Sequence, residues 1–289
     1  MSALHDFIAR HRRLFVLTGA GCSTDSGIPD YRDRTGNWKR SPPVGFQAFM
    51  GSAAVRQRYW ARSLVGWQRF RRASPNGAHD ALVRFERQNR VELLVTQNVD
   101  GLHQAAGSTK VLDLHGRLDR VRCMDCYDLL SRQELQEELL RSNSAWGRLE
   151  GAAAPDGDAD IDGLPFDEFT VPSCSRCGGV LKPDVVFFGE SVPRERVATA
   201  MQSLGRADAV LVVGSSLMVY SGYRFVEAAA QAGKPVAAIN LGHTRADGLL
   251  ALKVSEPCAS ALASLSAGFY DKLPSAAGNN AAGLWGEPC

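Results

Sequence analysis

Two Cys-x-x-Cys pairs, Cys123/Cys126 and Cys174/Cys177, restrict what this chain can fold into more than any other feature. Each pair forms a turn that can set two thiolates on one ion. Two pairs complete a tetrahedral four-sulfur shell of the kind zinc prefers. Such a shell has no open position, so one zinc per chain is expected there in a structural role, not a catalytic one. The competing reading is a redox Cys-x-x-Cys, but the chain has two pairs and no thioredoxin-like context. Arg120, Arg122, Arg176 and Lys182 lie near the pairs and are expected to offset the shell's negative charge. Cys22, Cys258 and Cys289 bring the total to seven. An odd number without an export signal fits a reducing, cytoplasmic setting.

The chain has 289 residues, 45% of them apolar. At that size roughly 75% of the unfolded chain's surface can be buried, without disulfides. Its 33 basic and 31 acidic residues nearly cancel, at +2. That balance argues against a nucleic-acid partner, which requires a strongly basic face. No apolar run approaches the roughly 18 residues of a membrane span, so no membrane partner is expected.

Leu14–Thr18, Val91–Thr96, Val111–Leu114, Val210–Val213 and Val236–Asn240 read as buried strands. Their unbroken apolar character fits a parallel sheet covered on both faces. A helix is expected over Tyr223–Ala232, closed by Gly233 and Pro235. The class is therefore α/β. Residues 37–75 are rich in aromatics and arginines and read as a helical insertion over a cleft. The acidic stretch 155–162 resembles a calcium loop in composition only, since Asp167 stands where such a loop carries its glutamate; a solvated loop is expected. The Gly/Ala/Asn-rich tail from Pro274 is expected to be mobile.

The strand ends carry the chemistry. After the first strand comes Leu17-Thr-Gly-Ala-Gly-Cys-Ser-Thr-Asp-Ser-Gly-Ile-Pro-Asp-Tyr-Arg32. Gly19 and Gly21 would let the backbone approach a pyrophosphate, with a helix N-terminus following. Thr24 replaces the third glycine of the usual dinucleotide fingerprint, so this is a variant phosphate loop or an ordinary turn. Thr96-Gln-Asn-Val-Asp-Gly-Leu-His103 offers Gln97, Asn98 and Asp100 as partners for an amide and ribose hydroxyls. Asp113-Leu-His-Gly116 presents His115 as a candidate general base, with His103 as its competitor. Val213-Gly-Ser-Ser216 and Asn240-Leu-Gly242 end the two later strands.

Together these segments, with Leu181-Lys-Pro-Asp-Val-Val-Phe-Phe-Gly189, resemble the sirtuin family of NAD-dependent protein-lysine deacylases. The resemblance runs in family order from about residue 10 to 270. Gln57–Arg62, Ala154–Asp158 and Val219–Phe225 resemble the class II branch, which includes the mitochondrial sirtuin-4 type. It implies a discontinuous Rossmann-like NAD-binding domain of residues 1–116 and 183–273, with 37–80 as the helical insertion. Residues 117–182 would be a zinc-binding module and 274–289 a flexible tail.

The resemblance also assigns roles. Gly19, Ala20, Gly21 and Ser23 would hold the pyrophosphate, with Asp30, Tyr31 and Arg32 over the NAD in a mobile loop. Gln97, Asn98 and Asp100 would line the ribose and nicotinamide pocket. Gly214, Ser215, Ser216, Asn240, Leu241, Gly242 and Cys258 would contact the adenosine half. An acyl-lysine peptide would add as a strand between Val185, Val186 and Phe187 and the Val219–Gly222 segment. The acyl oxygen would displace nicotinamide, Asn98 and Asp100 orienting the amide. His115 would then deprotonate a ribose hydroxyl, giving free lysine and O-acyl-ADP-ribose. Tyr59 and Arg62, three apart on a helix, would form an acyl pocket for acidic or bulky groups. The alternative for Arg62 is a solvent-facing or acid-paired side chain. The rival functions are a mono-ADP-ribosyltransferase and a non-catalytic NAD- or ADP-ribose-sensing module.

Overall fold

The apolar runs all become strands. The computed structural model describes residues 2–40, 42–153, 157–161 and 163–269. The tail from 274, Cys289, and Ala154, Pro155, Asp156 and Asp162 lie outside the described residues. In chain order the elements are α1 (Ala3–Arg10), β1 (Leu14–Thr18), α2 (Phe46–Gly51), α3 (Ala53–Phe70), α4 (Gly77–Arg87), β2 (Val91–Thr96), α5 (Leu102–Ala105), β3 (Val111–Asp113), β4 (Gly116–Cys123), β5 (Leu129–Ser131), α6 (Arg132–Ser142), β6 (Ala152–Ala153), β7 (Ala159–Asp160), β8 (Leu181–Val185), α7 (Arg194–Arg206), β9 (Ala209–Val213), α8 (Tyr220–Gln231), β10 (Val236–Ile239), β11 (Leu252–Val254) and α9 (Cys258–Phe269).

Six strands form one parallel sheet in the order β11-β10-β9-β1-β2-β3. Counted along the chain this is 3-2-1-4-5-6, the doubly wound dinucleotide-binding order. Every residue of β1, β9 and β10 is buried. Alternation divides them: Leu14 and Val16 pack into a core with α1, α4 and α9, while Phe15 and Leu17 pack with α7 and α8. The strand order reverses between β1 and β9, and there Thr18 pairs with Val213 on one side and Thr96 on the other. Three chain segments thus leave the sheet level with one another, at the edge where such sheets bind ligands.

A second, antiparallel sheet, β5-β4-β8, carries the cysteines. It shares a core with α2, α3 and α6, where Phe49, Trp60 and Leu64 pack with Val121, Leu135 and Leu181. The acidic stretch corrects one expectation, since Gly157, Asp158, Ala159 and Ile161 are buried. The reason is steric and electrostatic. A Cβ on Gly66 of α3 would fall 2.3 Å from the Gly157 carbonyl, so the chain crosses α3 at the one residue that admits it. Arg62 then binds Asp158 and Asp160. α8 begins three residues earlier than the expected Tyr223, so Tyr220–Gly222 is its first turn and only the Val219 end of that segment is extended. Among the described residues no helix is long and apolar enough to cross a membrane.

Candidate active site

One cleft of about 1110 Å³ lies at the reversal of strand order, between the parallel sheet and the β8 side of the cysteine-bearing sheet. Every sequence-derived catalytic, cofactor and peptide residue lines it except Arg62, Gly222 and the competing base His103.

The loop after β1 forms its floor. Two short 3-10 turns, Ala20–Cys22 and Thr24–Ser26, follow β1 where a helix N-terminus was expected. The glycines also make a close contact between loops possible. A Cβ on Gly19 would lie 2.8 Å from the Ser215 Cβ, and one on Gly21 would lie 3.0 Å from the Gly214 Cα. They let the β1 and β9 loops interlock, and Gly214 itself takes a left-handed φ of 64°.

The β2 end supplies the polar wall. Asn98 Nδ2 donates to the Gly19 carbonyl at 3.1 Å and to Ser23 Oγ at 3.0 Å. Ser23 Oγ in turn donates to Asp100 Oδ2 at 2.7 Å. Gln97 Nε2 donates to Ser215 Oγ at 2.7 Å, tying β2 to β9 across β1.

His115 follows β3. Its Nδ1 lies 3.0 Å from the Gln97 carbonyl, which can only accept, so Nδ1 carries the proton. Nε2 is then a bare lone pair, and Ser221 Oγ donates to it over 2.8 Å. Burial is the main force on the ring and pushes its pKa down to about 4; the Gln97 carbonyl opposes this, and Arg196 and Arg224 add to it. The ring is neutral at physiological pH. His103 is different. It is 1% exposed, bonded to Thr18 Oγ1 below the sheet ends, and outside the cleft.

Trp38 organises the loop over the cleft. Arg32 stacks on it at 4.0 Å and donates to the Gly36 carbonyl, and Trp38 meets Phe188 edge-on. Lys39 pairs with Asp30. At the far end the Cys258 thiol is buried, which pushes it up to about 12, so it is a packing group and not a nucleophile.

Tyr59 and Arg62 part company. Tyr59 packs edge-on to Phe49 and tilts against Phe187 at the cleft wall. Arg62 donates to Asp158 at 3.3 Å and Asp160 at 2.9 Å, the acid-paired alternative, and does not line the cleft. Sequence reasoning missed Ser221 and Arg224, both cleft residues on the first turns of α8. Their signal was present only as part of the Val219–Phe225 segment.

The four cysteines fit a zinc ion. Their Sγ atoms lie within 4.8 Å of one another, with Cys123–Cys177 at 3.5 Å and Cys126–Cys174 at 3.8 Å. A tetrahedron with metal–sulfur bonds of about 2.3 Å has edges of about 3.8 Å. The two turns are alike: Tyr127 N bonds to the Cys123 carbonyl and Gly178 N to the Cys174 carbonyl, with left-handed φ of 61° and 74°. The nearby cations serve other partners. Arg122 binds Asp184, Arg176 lies by Asp128, Lys182 binds Glu190 and Arg120 lies by Asp119.

Fold and cleft together define a Rossmann-type dinucleotide-binding protein with a four-cysteine module. The chain belongs to the Sir2 family, whose model it matches over residues 19–221. It is 67% identical over 263 residues to an NAD-dependent protein deacetylase of Xanthomonas campestris pv. campestris, covering 91% of this chain and 90% of that one. It is 48% identical over 258 residues to the mitochondrial NAD-dependent protein lipoamidase sirtuin-4 of Bos taurus, covering 88% and 82%. A solved Sir2–p53 peptide–NAD+ structure superposes with a TM-score of 0.76 at 29% identity, covering 93% of this chain and 98% of that one.

Proposed function

We propose that this protein is an NAD-dependent protein-lysine deacetylase that acts through His115. One observation carries the reading most directly: a neutral imidazole with its lone pair on Nε2 stands at the Rossmann switch point, in one cleft with Asn98 and Asp100. The membership in the Sir2 family and the deacetylase relatives support it.

The interlocked Gly19–Ser23 and Gly214–Ser216 loops would hold the two phosphates and adenosine ribose, with Asn240–Gly242 at the adenine end. NAD, when bound, supplies a ribose carbon whose bond to nicotinamide breaks as the acyl oxygen bonds to it. Asn98 and Asp100 orient the amide, since their side chains are already fixed on Ser23. His115 Nε2 takes the ribose hydroxyl proton once Ser221 yields its hydrogen bond. The substrate peptide lies between Val185–Phe187 and Val219, flanked by the exposed rings of Phe188 and Tyr220. We place the enzyme in the cytoplasm, without nucleic-acid or membrane partners; the zinc module, 117–182, braces the cleft between the halves of the NAD-binding domain.

The test is a panel of acetyl, succinyl, glutaryl and lipoyl peptides with NAD. Lysine release that requires NAD and His115 supports the reading. ADP-ribosylation of protein that survives His115→Ala, with no lysine release by the parent, favours the transferase instead.

A further inference from the structure

Beneath the phosphate loop lies a second set of ligand-type side chains that the reaction leaves unused: Cys22, His79 and His103. The Cys22 Sγ and one ring nitrogen from each histidine fall within 4.8 Å of one another. The three residues are 1%, 0% and 1% exposed. The imidazole centroids are 4.8 Å apart. Two buried ring nitrogens here, His79 Nε2 and His103 Nδ1, have no hydrogen-bond partner.

The neighbours assign the protons. Thr18 Oγ1 donates its hydrogen to Thr96 Oγ1, so it accepts from His103 Nε2 across 2.9 Å. That leaves His103 Nδ1 bare. An imidazole anchored through one nitrogen with the other free is how metal-binding histidines are held. His79 is the reverse case. Its Nδ1 accepts from the Asn76 N–H in the capping box of α4, so its Nε2 keeps the proton. It can become a ligand only by giving up that cap.

The set therefore presents one sulfur and one nitrogen, with no carboxylate among them. Hard cations require oxygen ligands, and zinc requires four partners. Thiolate favours soft ions such as Cu(I). Charge points the same way. A monovalent ion and one thiolate are neutral together, so the pair buries no net charge. We propose that Cys22 and His103 form a binding site for a cuprous ion, directly under the phosphate loop. Burial raises the Cys22 thiol well above its usual range, so binding replaces the S–H with S–Cu and releases one proton to solvent, without change of oxidation state.

The zinc-loaded protein is titrated anaerobically with one equivalent of Cu(I) supplied as its acetonitrile complex. Metal per chain is measured by elemental analysis after desalting, and the copper–thiolate charge-transfer absorbance is recorded. The expected result is one copper and one zinc per chain. Cys22→Ala and His103→Gln, each verified as folded by circular dichroism and zinc content, should bind at least tenfold less copper. Three results would overturn the proposal: no copper retained, copper taken up only as zinc is lost, or equal uptake by folded Cys22→Ala.

Discussion

Ser221 Oγ donates to His115 Nε2 at 2.8 Å, so a hydroxyl from the first turn of α8 occupies the lone pair that a general base must use. Burial holds the ring's pKa down to about 4, so kcat/KM should stay on its plateau down to about pH 5 and fall only as pH drops through about 4. The pH profile from 3.5 to 8 checks this, and an acid limb near the ordinary 6.5 would contradict it. His115→Ala should lose about 10²- to 10⁴-fold in deacetylation.

The cysteine module should fail as a unit. Cys174→Ala should lose the zinc and at least about 3 kcal/mol of stability, as chelation should. Zinc content and denaturant melts measure both. Within the same module Tyr127 is exposed and left-handed at φ 61°, where its counterpart is Gly178. Tyr127→Gly should stabilise by roughly 0.5–1 kcal/mol by relieving that strain.

Arg62 is a structural tie. Its side chain is 18% exposed and Asp158 is 7% exposed. Arg62→Ala removes the part-buried ion pairs to Asp158 and Asp160 and should cost about 3 kcal/mol. The ratio of succinyl to acetyl turnover should stay unchanged. A selective loss of succinyl activity at full stability would restore the acyl-pocket role.

His103 should make stability depend on pH. Burial pushes its pKa down to about 3, whereas the unfolded chain titrates near 6.5. Below 6.5 the unfolded state binds more protons, so stability is complete above that pH and falls as pH drops toward about 3. Replacing the ring in His103→Gln should flatten urea-midpoint stability between pH 6.5 and 4, relative to the parent.

The central sheet was legible because strands buried on both faces leave unbroken apolar runs, as at Leu14–Thr18. β11 was not, since its three half-exposed residues, Leu252, Lys253 and Val254, carry no such run. The strand-end residues were legible as motifs, but their partners were not. Gly19 and Gly21 read as room for phosphate, and only tertiary structure shows that they make room for Gly214 and Ser215. The spacing of Tyr59 and Arg62 was correct for a helix, yet three residues still leave side chains about 60° apart. That angle is enough to send one ring to the cleft wall and the other side chain to Asp158. Ser221 had no motif of its own, because a serine beside a base is defined by distance alone.

The most direct measurement of the central claim is the product balance with acetyl-lysine peptide and NAD. Nicotinamide, deacetylated peptide and O-acetyl-ADP-ribose should form in equal amounts by mass spectrometry. His115→Ala should still release nicotinamide in the presence of peptide while deacetylated product falls. Free acetate in place of O-acetyl-ADP-ribose, or full deacetylation by His115→Ala, would contradict it.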